Sequence, residues 1–166
     1  MDEDDILTAY HEAGHAVVGF ALGGTVESIQ IGGEHDVVGV RQFGDCRIAW
    51  RSTVQSDRIH LQRELLTILA GPAAEIVYAG RSLDLEMLKT WKQDLDLAWI
   101  LAEKMTPRLH EKQQLMSEAL QQLQSIIRTE KCWSAVAAVA DALLAHEFLE
   151  ESEVEEVLRF WMERPY

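Results

Sequence analysis

Apolar residues recur at helical spacing from the start of the chain. Ile6, Tyr10, Ala13, Val17, Phe20 and Ala21 mark one face, with Asp4 or Asp5 placed to cap its beginning and Gly23-Gly24 to stop it. The spacing predicts a largely buried helix of about five turns. The period then changes. Val26 to Ile31 alternates, Gly32-Gly33 makes a turn, and Val37-Val38-Gly39-Val40 resumes apolar character, which predicts a β-hairpin extended by a short strand at Arg47 to Trp50. From about Thr53 the pattern is helical almost to the end. Leu61, Leu65, Ile68, Leu69, Ala73, Ile76 and Val77 form one stripe, expected to break at Gly71-Pro72 and to stop at Gly80. Leu95, Ala98, Leu101, Ala102 and Met105 mark a third helix ending near Pro107, followed by helices over about Glu111 to Arg128, Cys132 to Ala145 and Glu153 to Met162. No repeat or linker interrupts them. The expectation is one domain, 1–166, of the α+β class with helix predominating.

Composition narrows the possible roles. At 166 residues and 48% hydrophobic, the chain is long enough to close its own core. A formal net charge of −13 argues against binding to nucleic acid or an anionic membrane, both of which call for a basic face. Cys46 and Cys132 are too few for a disulfide scaffold and too far apart for a metal knuckle, so they read as reduced thiols of a cytoplasmic protein. The opening Met1-Asp2-Glu3-Asp4-Asp5 lacks the basic and apolar regions of a signal peptide, and no run approaches about 18 uninterrupted apolar residues. Neither a leader nor a membrane span is expected.

The chemistry lies in the first helix, at His11-Glu12-Ala13-Gly14-His15. Helical positions four apart lie one turn apart and about 40° around the axis, so both imidazoles can face one Zn²⁺. Glu12, beside the first of them, can take a proton from water, as metal-assisted peptide hydrolysis requires. A solvated surface helix can carry the same five residues by chance. Here the surrounding pattern predicts burial, and two histidines and a glutamate inside a core need partners or a metal. A zinc site also needs a third protein ligand, an acidic residue or histidine on a later helix. The remaining histidines, His35, His60 and His110, read as surface residues, and His146 as the cap of a helix C-terminus. Trp50, Trp91, Trp99, Trp133 and Trp161 read as core filling, and the acidic run Glu147 to Glu156 as the solvated start of the last helix.

Thr8-Ala9-Tyr10-His11-Glu12-Ala13-Gly14-His15-Ala16-Val17-Val18 resembles the opening helix of the peptidase domain of FtsH-type zinc proteases. Leu69-Ala70-Gly71-Pro72-Ala73-Ala74-Glu75 is similar to that family's LGGRAAE segment, Gln93-Asp94-Leu95-Asp96-Leu97-Ala98 to its NDLxxAT segment, and Ala137 to Leu158 to its closing helices. The resemblance covers essentially the whole chain in order. It implies a zincin-like fold, a bound Zn²⁺ and Asp94 as third ligand beside His11 and His15. Asp94 also opens an apolar helix, whose N-terminus stabilises a charged carboxylate. A simple N-cap is the competing reading of Asp94. Glu75 is the rival ligand, or else a buried partner that orients a histidine ring. Asp96 is expected on another face, in solvent.

Two departures from the family bear on function. No GxxxxGK[ST] phosphate loop occurs in the sequence, so ATP-driven unfolding is not expected of it alone. Pro72 stands where the family has Arg, and Leu88-Lys89-Thr90-Trp91-Lys92-Gln93 replaces its glycine-containing approach to the aspartate. The expected activity is a zinc metalloendopeptidase for unfolded or flexible polypeptides, with Glu12 catalytic. The competing class is a zinc-binding scaffold that docks an AAA+ unfoldase or FtsH-type partner without cleaving. A binding-only domain has no use for Glu12. The hairpin following the first helix is expected to pair with an extended substrate through a free edge.

Overall fold

The computed structural model describes residues 2–32, 44–51, 57–80 and 90–162. Helix α1 spans Glu3–Ala21. Its cap is Asp2, not Asp4 or Asp5: the Asp2 carboxylate accepts from the Asp5 N–H at 2.9 Å, and the next three acidic residues fill the first turn, where the helix dipole favours them. Gly23, at φ 97°, takes the left-handed conformation just past the helix end.

The chain then forms β1 (Thr25–Ile31) and β2 (Gly44–Ala49), antiparallel, with Thr25 opposite Ala49 and Ile31 opposite Gly44. A bulge interrupts the ladder between Val26 and Ser28. The expected strand at Val37 to Val40, and His35, lie outside the described residues. A third strand, β3 (Phe148–Glu150), pairs with the other side of β1, Ile29 opposite Leu149, in the order β2-β1-β3. Its residues fall in the acidic run expected to be a solvated helix start. Three residues are too few for alternation to register, and only Leu149 turns inward. Because β1 is paired on both sides, β2 and the three-residue β3 are the strands with an outer edge among the described residues, and β2 is the longer.

Four further helices precede β3 and one follows it: α2 (Asp57–Ala79), α3 (Lys92–Met105), α4 (Leu109–Ile127) and α5 (Glu130–His146), then α6 (Glu151–Trp161). The architecture is therefore α+β, mostly helical, with a small antiparallel sheet. Helix α2 corrects one expectation. It runs unbroken through Gly71 and Pro72, although proline removes the donor that Ile68's carbonyl would use. Leu65, Leu69 and Ala70 before the proline and Ala73 and Ala74 after it are all buried in one core, and that packing holds both halves in one rod.

Helix α1 is the centre of this core. It is buried from Ala9 to Phe20 apart from Tyr10, and packs on α2, α5 and the sheet. Of the tryptophans, Trp91 alone is fully buried, against Ile76 and Leu95; Trp50, Trp99 and Trp133 are half-buried and Trp161 is exposed. The half-buried rings sit at the margin beside other side chains: Trp50 edge-on to His60, Trp99 under the Lys112 ammonium, Trp133 stacked on Tyr10. Among the described residues no helix is long and apolar enough to cross a membrane.

Where α1 crosses α2, Gly14 sets the distance. A Cβ on Gly14 would lie 2.5 Å from the Ala70 carbonyl oxygen and 2.7 Å from the Ala74 Cβ. Neither atom can swing away. Gly14→Ala should therefore destabilise the protein by about 1–3 kcal/mol, despite alanine's better helix propensity. Denaturant unfolding checks this; unchanged or increased stability would show that the crossing has slack.

Candidate metal centre

Four side chains from two helices, α1 and α3, meet against α2. His11, Glu12 and His15 come from α1, each buried, and a ligand-type atom of each lies within 4.8 Å of the others. Helical spacing alone accounts for this: positions 11 and 15 are stacked, with their rings edge to face at 4.7 Å between centroids. Asp94 arrives from the first turn of α3. Its Oδ2 lies 2.6 Å from His11 Nε2 and 3.3 Å from His15 Nε2. Trp91, buried just before α3, anchors the start of that helix against α2.

The N-cap reading of Asp94 does not hold. Trp91 occupies the cap position without a side-chain bond, and the Asp94 carboxylate turns to the imidazoles. Asp96 is exposed and pairs with Lys92 at 2.6 Å. Glu75 does not join Asp94 at the Nε2 face; its Oε1 accepts from His11 Nδ1–H at 2.5 Å. The same position on His15 is served by backbone: Nδ1–H donates to the Thr67 carbonyl at 2.8 Å. That acceptor carries no sequence signal, although it lies in the turn just before the Gly71-Pro72 pair. His60 is part-exposed beside Glu64, and His110 and His146 are exposed.

These contacts bear on whether a metal fits. With both Nδ1 atoms donating, each ring presents its Nε2 towards Asp94. Ligands held at about 2.0–2.2 Å around a tetrahedral ion sit about 3.3 Å apart, the separation seen between His15 Nε2 and Asp94 Oδ2. The 2.6 Å contact of His11 has hydrogen-bond length, so the His11 to Asp94 gap must widen by about 0.7 Å to admit an ion. The donor set, two imidazoles and a carboxylate with both rings oriented from behind, suits a divalent cation.

The carboxylates favour protons on both rings, and a metal would have to displace those at Nε2. Burial pulls the His11 pKa down, but hydrogen bonds to Asp94 and Glu75 outweigh it and carry the value up to about 10. His15 is likewise lowered by burial and raised by its contact with Asp94, with a net rise. Asp94, pushed up by burial, is held well below the usual carboxylate range by the two histidines. Glu12 is raised: desolvation exceeds the opposing pull of His15 and His11. Burial and Glu12's charge also push the Cys46 thiol far up, which keeps it protonated. Both cysteines are free.

The chain matches no protein-family model and no curated protein, so the assignment rests on these side chains, and its test is direct. Protein dialysed against trace divalent metal should retain about one ion per chain. Asp94→Ala should lose most of it and Asp96→Ala none. Glu75→Ala, which releases His11 Nδ1 but removes no Nε2-face donor, should weaken binding by about 10–100-fold. Elemental analysis reads all three; equal retention by Asp94→Ala and wild type would remove Asp94 from the site.

Proposed function

We propose that this chain is a zinc-dependent metalloendopeptidase of the zincin-like, FtsH-similar kind, working in the cytoplasm on unfolded or flexible polypeptides and without ATP. The observation that carries the reading is the convergence of His11 Nε2, His15 Nε2 and Asp94 Oδ2, with the buried Glu12 carboxylate in the same group. A purely structural zinc site closes with four protein ligands and needs no adjoining base.

His11, His15 and Asp94 would hold the ion, while Glu75 and the Thr67 carbonyl keep the rings turned towards it. A bound Zn²⁺ supplies Lewis acidity to the scissile carbonyl and to water. Glu12 accepts the proton of the attacking water and passes it to the departing amine. Its raised pKa makes it a better base than an ordinary carboxylate and, once protonated, keeps the proton available for delivery. Strand β2 brings Gly44 against the Glu12 side chain. An extended peptide adding to the outer edge of β2 would pass beside the base, held by main-chain hydrogen bonds that read few side chains. Folded substrates cannot offer such a strand; a separate unfoldase partner would have to supply it.

Glu12→Gln keeps size and hydrogen bonding but cannot take a proton. Metal content should remain at the wild-type level while cleavage of an unstructured protein such as casein falls at least about 100-fold. Wild-type protein should cut denatured chains and leave their folded forms intact. Metal-loaded wild type with no activity on any disordered substrate would sink the peptidase reading.

A further inference from the structure

Gly71 lies in the middle of α2, pointing at the two rings. An ideal Cβ built on it would stand 2.5 Å from His15 Nε2, 2.6 Å from His15 Cε1 and 2.7 Å from His11 Nε2. Both nitrogens named are those that face Asp94. A carbon needs about 3.5 Å from such atoms, so a single methyl group would overlap both at once. The rings cannot yield: each is buried and pinned from behind, His11 by Glu75 and His15 by the Thr67 carbonyl. Nor is glycine here for its backbone freedom. Gly71 has none of the positive φ seen at Gly23, Gly32 and Gly80, and within a regular helix glycine costs about 0.5–1 kcal/mol against alanine.

We propose that the missing side chain of Gly71 is what keeps the ion's position open, making Gly71 a positioning residue for metal binding. This rests on the metal reading above. The α2 backbone forms one wall of the site, and helix stability is given up for the space. Gly44 of β2 stands in the same relation to Glu12: its Cβ would meet Glu12 Cγ and Oε1, each at 2.7 Å, but neither imidazole is among its nearest neighbours. It supplies a matched control, an overlap of similar size beside the base instead of the ligands.

The test is metal retention by the intact chain, read by elemental analysis and by zinc titration. Gly71→Ala should lower zinc affinity at least 100-fold, and Gly44→Ala should keep it within a few-fold of wild type. To separate loss of metal from loss of fold, the same substitution is also made in the His11→Ala/His15→Ala background, where the overlapping atoms are gone. There it should be neutral or raise the melting temperature. Zinc bound equally by Gly71→Ala and wild type would overturn the proposal, as would a melting temperature lowered as much with the rings removed as with them present. Wild type binding no zinc would instead remove the metal reading on which it stands.

Discussion

Two imidazoles buried between α1 and α2 have four ring nitrogens, and every one of them has to be satisfied inside the protein. This requirement organises the structure around them. It brings Glu75 and the Thr67 carbonyl to one side of the rings and Asp94 to the other. It needs the two helices close enough for α2 to reach behind α1, which Gly14 permits against Ala70 and Ala74. It also fixes where α3 must start, since Asp94 can meet both Nε2 atoms only from that first turn, and Trp91 sets that start.

Charge follows from the same arrangement. Glu12, Glu75 and Asp94 all approach two histidines, with Asp45 near enough to raise Glu12 further. Three carboxylates against two imidazoles leave excess negative charge even when both rings are protonated, in a place where desolvation makes charge costly. A divalent cation at the Nε2 atoms would take the place of the two ring protons and supply the same compensating charge from a single point. Elsewhere among the described residues no acidic side chain is buried; here the acidity is concentrated and enclosed.

How much of this could be read from the sequence depended on how local the cause was. The α1 face and the His11, Glu12, His15 set follow from helical spacing, and α1 is where the pattern was clearest. Asp94 was legible mainly through likeness to a family, since nothing in residues 92–105 says that α3 packs on α2 with its first turn towards the α1 histidines. The Asp2 cap was one of several equivalent carboxylates, separable only by geometry. Pro72 pointed to a break because proline's local effect is strong, yet packing on both sides overrode it. The Thr67 carbonyl is backbone, identical in every sequence. Gly71 did leave a mark, a glycine inside an apolar helical stripe, but local reading takes such a residue for a breaker and not for room.

The order of strands has a consequence in time. β1 follows α1 directly, but its second neighbour, β3, is made more than a hundred residues later, and α5, which covers another face of α1, only shortly before it. Contacts this distant along the chain form late, because the loop they close is long. A polypeptide still emerging from the ribosome can carry every one of the four converging side chains and yet lack the strand and helix that enclose them. Assembly of the centre is thereby tied to the arrival of α5 and β3, so the four side chains are made well before the elements that enclose them.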